Sequence, residues 1–311
     1  MTGRSTEPTL PSRRTFLRMG ALAAVAVPLA AACSPGFDES PDPLGPLLRA
    51  AETDAAGAKA LGAEGEAVAT ARAAHAAALK TEVDRLNRPK PEQSGPAETP
   101  PSSVDALKER LAAARKQAEG LVPSLPRYRA GMVASIAAGC AALQQSSEKL
   151  GRGDDAGAVD VPAGVQLGGE TADAVQQALG AEHAAIWVYG LVSAYLPAAF
   201  GGAVSRGTAE HVKRRNVCER MLSAAGQPPA GPEAAYVPPK PVTDANSAME
   251  LVATAESDVA AAWLGVIDRT DDAALRTTAL NALVGSARRG TAWRAEFGAK
   301  PVAIAMPGQS V

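Results

Sequence analysis

Val-Gln-Gln-Ala-Leu-Gly-Ala-Glu-His-Ala-Ala-Ile-Trp-Val-Tyr-Gly-Leu-Val-Ser-Ala-Tyr-Leu, residues 175–196, is the stretch whose reading decides the fold. At helical spacing Val175, Leu179, Ile186 and Tyr189 fall on one apolar face, and Glu182 falls among them. A carboxylate on the core side of a helix must be neutralised, paired with a cation or bound to a metal. The spacing therefore predicts a buried helix, and the chemistry turns on what compensates Glu182.

Three further stripes follow it. From near Ser205 to Ala225, His211 lines up with Cys218 and Leu222, and Arg214 and Arg215 flank that face. Gly226 and Pro228-Pro229 stop this helix. Thr243-Asp244 caps a third helix, where Glu256 shares its face with Met249, Val252, Val259, Trp263 and Ile267. Asp271-Asp272 opens a fourth, with Arg276 and Arg294 on the stripe of Leu280, Leu283 and Ala287. Residues 170–308 thus read as a four-helix bundle, with the tail from Pro301 to Gly308 lying back over it.

Outward toward the N-terminus, residues 44–150 repeat the plan. Leu44, Leu47, Leu48, Ala51, Ala55, Ala58 and Leu61 form one helical stripe, and Val68, His75, Leu79, Glu82 and Leu86 a second. Ser102-Ser103 reads as the N-cap of a third helix carrying Val104, Leu107, Leu111, Ala114 and Ala118. Met132, Val133, Ile136, Cys140, Leu143 and Leu150 make the fourth stripe. The Gly-, Asp- and Pro-bearing segment 151–169 reads as a linker between two helical bundles. The halves share no clear repeat beyond a core-facing histidine on each second helix, His75 and His211.

Composition agrees with an all-α class. Alanine dominates the apolar fraction, and no run of alternating β-branched residues occurs. A net charge of −2 with no basic block argues against a nucleic-acid partner. Cys140 and Cys218 both sit on apolar faces, so two buried, unpaired thiols are expected at least as readily as a disulfide.

Residues 1–32 read as a targeting segment. Ser12-Arg13-Arg14-Thr15-Phe16-Leu17-Arg18 matches the twin-arginine consensus, which implies the twin-arginine translocon as a partner during export. The apolar run Met19–Ala32 is too short for a stable membrane span. It ends in Leu29-Ala30-Ala31-Ala32-Cys33, which resembles a lipobox, with Ala30 where an aliphatic residue is usual. Lipidation of Cys33 would tether the chain to the outer face of the cytoplasmic membrane through residues 33–43. Ordinary cleavage after the alanines, giving a secreted protein, is the alternative.

Two inward carboxylates with a histidine between them have the outline of a carboxylate-bridged metal site. Glu182, His183, His211 and Glu256 are the candidate ligands for a metal such as iron or manganese. Yet such sites draw Glu-x-x-His pairs from two helices, and no Glu-x-x-His occurs in this sequence. Arginine satisfies an inward carboxylate and cannot ligate a metal. The favoured expectation is therefore a buried ion-pair network of Glu182, Glu256, His211, Arg215, Arg276 and Arg294, with no cofactor and no catalytic residue. Arg288-Arg289 reads as a solvated edge, with pairing to a buried carboxylate as the second option. Trp187, Tyr189, Trp263 and Trp293 read as packing.

From about Ala172 to Gly308 the chain resembles a ferritin-like domain of unknown function found in exported proteins of high-GC Gram-positive bacteria. The resemblance rests on Ala-Leu-Gly-Ala-Glu182-His183-Ala-Ala-Ile-Trp-Val-Tyr189-Gly and on His211 with Arg214-Arg215. It continues through Pro228-Pro229, Ala234-Ala235-Tyr236, Pro241-Val242-Thr243-Asp244, Arg288 to Trp293-Arg294, and Met306-Pro307-Gly308. Asn216 departs from the pattern, standing where an acidic residue is expected. The resemblance implies a ferritin-like bundle and no established activity. The expected role is binding or structural, in the cell envelope, without catalysis. The alternatives are a metal-binding ferritin-like protein of oxidative or storage activity, and an interaction module using the Tyr236–Pro241 loop.

Overall fold

The computed structural model describes residues 40–86, 88, 98–153 and 155–309. Arg13, Arg14 and Cys33, on which the export and lipidation readings depend, lie outside the described residues. Among the described residues there are eight α-helices and no strand. They are α1 (Gly45–Ala60), α2 (Glu66–Leu86), α3 (Val104–Leu121), α4 (Arg127–Ser146), α5 (Gly169–Val192), α6 (Gly201–Ala224), α7 (Ala245–Ile267) and α8 (Ala273–Glu296). The chain is all-helical, as its periodicity requires.

Local chemistry sets most boundaries. The Ser103 hydroxyl accepts the Ala106 N–H at 3.1 Å, satisfying one of the orphan donors that open α3. Asp244 and Ser247 form a reciprocal capping box at the start of α7. Asp272 accepts the Leu275 N–H at 2.7 Å and opens α8. Helix α6 begins at Gly201, a turn before the expected Ser205, because the 3-10 turn 198–200 behind Pro197 runs directly into it. Helix α6 ends where Gly226 takes φ +70°, a conformation that costs a side-chain-bearing residue more than glycine.

The helices pair as α1 with α2, α3 with α4, and α7 with α8, while α5 packs on both α6 and α7. Helix α4 ties these together by packing on α3 and on α8. Fifteen of its 20 residues are buried, so it is enclosed rather than amphipathic. Alanine and glycine make this possible: Ala134, Ala137, Ala138, Ala141 and Ala142 let neighbouring helices approach from several sides. Larger residues fill the remaining space. Leu107, Leu111, Ile136 and Leu143 are fully buried, each stabilising the fold by about 1.5–3 kcal/mol relative to exposure.

One apolar cluster runs from Leu44 to Ala303 and includes residues on both sides of the segment 151–169. That segment adds Val159 to the core. It is also tied to α8, because Thr278 donates to the Asp160 carbonyl at 3.1 Å and Asn281 to the Ala158 carbonyl at 2.8 Å. The two helical groups read from the sequence therefore share a core. The described helices pack as one compact unit.

The C-terminal tail closes the other side. His75 donates its Nε2–H to the Ala305 carbonyl at 2.7 Å, and Ser135 donates to the Pro307 carbonyl at 2.8 Å. A side chain at Gly139 would collide with the Ala305 carbonyl, so the close approach of tail to α4 needs glycine there. His75 takes its second bond at Nδ1 from Arg72, 3.1 Å away, which fixes the neutral tautomer. Burial and the Arg72 charge push its pKa down to about 3. Cys140 and Cys218 are both free and buried. Among the described residues no helix is long and apolar enough to cross a membrane.

Candidate functional site

Glu182 of α5 and Glu256 of α7 both point into the bundle and are buried to within 1% of completely. His211 of α6 lies between them, its Nδ1 2.6 Å from Glu182 Oε2 and its Nε2 3.1 Å from Glu256 Oε1. Both ring nitrogens face carboxylate oxygens, so both must donate, and the ring is an imidazolium. Burial opposes that charge, but the two carboxylates outweigh it and raise the His211 pKa above its ordinary value.

Two aromatic donors complete the carboxylates. Trp263 Nε1–H donates to Glu182 Oε1 at 2.7 Å, and Tyr189 OH donates to Glu256 Oε1 at 2.7 Å. The arrangement is reciprocal. Tyr189 stands seven residues after Glu182 on α5, and Trp263 seven after Glu256 on α7, so each aromatic shares its glutamate's face two turns on. With α5 and α7 antiparallel, each aromatic reaches the other helix's carboxylate. Trp293 Nε1–H in turn donates to Tyr189 OH at 3.1 Å. Gly207 of α6 makes room for the Tyr189 ring, with which a Cβ there would collide.

The second cation is Arg289 of α8, whose Nε and Nη2 donate to Glu256 Oε1 and Oε2 at 2.7 and 3.2 Å. Burial alone would raise the Glu256 pKa, but Arg289 and His211 overcome it and hold the carboxyl well below the usual range. Arg289 also donates to Ser286 Oγ at 3.2 Å, an atom shared with Arg214 Nη1 at 2.8 Å. Arg214 is 1% exposed. Burial and the neighbouring Arg289 lower its pKa, and Glu210 approaches its Nε at 3.4 Å.

Of the network expected from the sequence, the structure brings Glu182, His211 and Glu256 together and places Arg215, Arg276 and Arg294 apart from them. Arg215 turns outward to Asn216 and Glu219, while its neighbour Arg214 is the residue that enters. Arg276 is buried but bonds the Thr270 carbonyl at 2.8 Å, the Leu125 carbonyl and Asp271. Arg294 bonds the carbonyls of Pro301 and Val302. Position along the axis explains both: Arg276 lies in the first turn of α8 and Arg294 in its last, whereas the carboxylates meet the helix near Ser286 and Arg289. Thirteen residues of helix separate Arg276 from Arg289 by about 20 Å.

Arg289 takes the second of the two roles open to Arg288-Arg289, pairing with a buried carboxylate, and its sequence signal is the 282, 286, 289, 293 stripe leading to Trp293. Tyr189 and Trp263 are donors as well as packing residues, a role that spacing cannot show because it depends on the facing helix.

The metal-ligand set is brought together only in part. Glu182, His211 and Glu256 meet, but His183 is rotated about 100° from Glu182 around the helix, where its Nε2 lies 3.3 Å from the Ala230 carbonyl. Among the described residues no group of three or more His, Cys, Asp or Glu has the disposition to hold a metal ion. The donor chemistry gives the reason. His211 spends both nitrogens as donors, and all four carboxylate oxygens accept from Trp, Tyr, His or Arg. A cation replacing any of them would meet the positive charges of His211 and Arg289.

Beside this network an open cleft of about 540 Å³ separates α6 from α8. Arg206, Arg214, Arg288 and Arg289 line it, with Phe200 and Trp293 stacked at one end, centroids 5.7 Å apart.

A family model described as "Domain of unknown function (DUF4439)" matches residues 174–311, which take in every member of the network and both walls of the cleft. Residues 174–311 belong to this family of unknown function. Among solved structures, this domain of unknown function is similar to a conserved hypothetical protein from Mycobacterium tuberculosis. The two share 36% identity over 44% of this chain and 97% of that one, with a TM-score of 0.41. Comparison with the curated proteins returns no match.

Proposed function

We propose that the protein is an exported lipoprotein, tethered through Cys33 to the outer face of the cytoplasmic membrane, whose ferritin-like bundle binds or supports a partner without catalysis. The observation that favours a non-catalytic role is the donor set around Glu182 and Glu256. Each carboxylate oxygen already accepts a hydrogen bond, from Trp263, Tyr189, Arg289 or His211, and the imidazolium is spent holding the two acids together. A general base must lie within hydrogen-bond reach of a substrate proton, and both carboxylates are buried to within 1% of completely. Here the network carries two negative and two positive charges among Glu182, Glu256, His211 and Arg289, a balance suited to fixing helix register. The cleft between α6 and α8 is the place where a ligand has access. The tether rests on the twin-arginine and lipobox-like residues, and lies outside the described ones.

Elemental analysis of the full chain purified after export tests the first part. The expected result is no stoichiometric iron, manganese or zinc; such a metal, lost in Glu182→Gln/Glu256→Gln, overturns the reading. Mass spectrometry of the mature N-terminus tests the second: a diacylglyceryl-modified Cys33 supports the tether, and a free Cys33 refutes it.

A further inference from the structure

Three edges of the C-terminal bundle are closed by helix packing: α5 on α6, α5 on α7, and α7 on α8. The fourth, between α6 and α8, is the cleft. Its floor holds a feature that the ion network does not use. Arg214 is 1% exposed and gives Nη1 to Ser286, yet its Nη2 meets no described hydrogen-bond acceptor, and its Nε makes no hydrogen bond, only the 3.4 Å approach to Glu210. Arg289 commits Nε and Nη2 to Glu256 and Ser286, and its Nη1 likewise has no described acceptor.

These two uncommitted nitrogens converge. A Cβ placed on Gly285 would collide with Arg214 Nη2 and stand 3.5 Å from Arg289 Nη1, so both lie against the same bare spot of α8. Two guanidinium groups side by side repel one another, and the buried Arg214 Nε has no hydrogen bond to offset its desolvation. An anion lying between the two groups relieves that repulsion. Arg206, two turns before Arg214 on the same wall of α6, stands exposed over the cleft and forms no ion pair with a described residue. A planar carboxylate is satisfied by a single guanidinium fork, whereas donors arriving from two walls suit a tetrahedral anion with several oxygens. Phe200, half-buried and stacked on the buried Trp293, offers an apolar surface to whatever the anion is attached to.

We propose that the cleft between α6 and α8 is a binding site for an organic phosphate, with the phosphoryl oxygens on Arg214, Arg289 and Arg206 and the organic part against Phe200 and Trp293. This gives a ligand class to the binding role proposed above and rests on that reading. The shared chemistry is the phosphate group, free or as a lipid headgroup. Arg288 supports the opposite rim through Asp155, 3.1 Å away. Glu210 works against the ligand, since its carboxylate competes for Arg214.

The test is isothermal titration calorimetry of the full chain carrying Cys33→Ala, which removes the site of the lipid anchor, with phenyl phosphate and inorganic phosphate, beside co-sedimentation of the same chain with phosphatidylglycerol and phosphatidylcholine vesicles. Phenyl phosphate should bind more tightly than inorganic phosphate. Arg206→Gln and Arg214→Gln should each weaken it about tenfold or more, the loss of a charge-assisted contact. Glu210→Gln should tighten it, a sign that a purely structural role for Glu210 would not produce. Should Arg214→Gln fail to fold, the exposed Arg206 and the rim Glu210 still decide. Phenyl phosphate binding without vesicle retention assigns the site to a soluble phosphoester. Retention on phosphatidylglycerol that Arg206→Gln abolishes assigns it to a lipid headgroup. No binding of either kind by the folded chain, or binding that Arg206→Gln and Glu210→Gln leave unchanged, overturns the proposal. Failure here leaves the metal content and the N-terminal lipid as measured, so the two readings fail separately.

Discussion

Replacing Arg289 with methionine keeps the length and apolar contact of the side chain and removes its charge. Glu256 would lose two charge-assisted hydrogen bonds, at 2.7 and 3.2 Å, each worth about 1.5–3 kcal/mol. The loss falls short of their sum because His211 and Tyr189 still reach Glu256 Oε1, and because Arg289 is 23% exposed and partly screened. We expect a destabilisation of about 3 kcal/mol, the lower end of the range for stripping one partner from a buried ion pair. Urea unfolding followed by helical circular dichroism measures it, with Lys240→Met as the control, since that lysine serves an exposed pair worth about 0–1 kcal/mol. The same substitution made on Glu256→Gln should cost much less, because the buried charge it would abandon is gone. The pH dependence gives a second check. Glu256 has a depressed folded pKa, so its contribution is present above about pH 4.5 and is lost as pH falls further; Arg289→Met should flatten that acid limb. A cost for Arg289→Met no larger than that of the control, or equal costs in both backgrounds, would refute the network as described.

Three other outcomes follow from the same geometry. His75 is buried and neutral with a pKa pushed down to about 3, so its contribution is full above the unfolded value near 6.5 and drains away as pH falls toward 3. His75→Gln should remove part of that slope in urea midpoints measured across this window. His211 behaves oppositely: its folded pKa is raised, so its contribution is present below about 6.5 and is lost as pH rises through the folded value. Thermal melts of wild type and His211→Gln should therefore converge on the alkaline side; a constant gap would contradict an imidazolium. Gly207→Ala should destabilise by about 1–3 kcal/mol through collision with the Tyr189 ring, and Tyr189→Leu should recover part of the loss, both read from unfolding midpoints.

The two core histidines show why pattern and environment carry different information. Both occupy the core face of a second helix, and nothing in their spacing separates them. One meets a carbonyl and an arginine and stays neutral; the other meets two carboxylates and holds a proton. Those neighbours come from residues up to 230 positions away in the chain. Spacing in one helix says which way a side chain points, not what stands opposite.

The sequence alone determined the helical class, the placement of the helices, their caps at Ser103, Asp244 and Asp272, and the inward direction of Glu182, His211 and Glu256. These follow from local rules: a period of 3.6 residues, side chains that cap free N–H groups, and proline and glycine where a helix must stop. Tertiary structure alone decided which cations answer the carboxylates. Arg215, Arg276 and Arg294 were as well placed by stripe as Arg289, but the level at which antiparallel helices cross selects among them, and that level depends on how α5, α7 and α8 slide when they pack. The same packing left α6 apart from α8, so the cleft and its two uncommitted guanidinium ends belong to the tertiary arrangement and to no segment of the sequence.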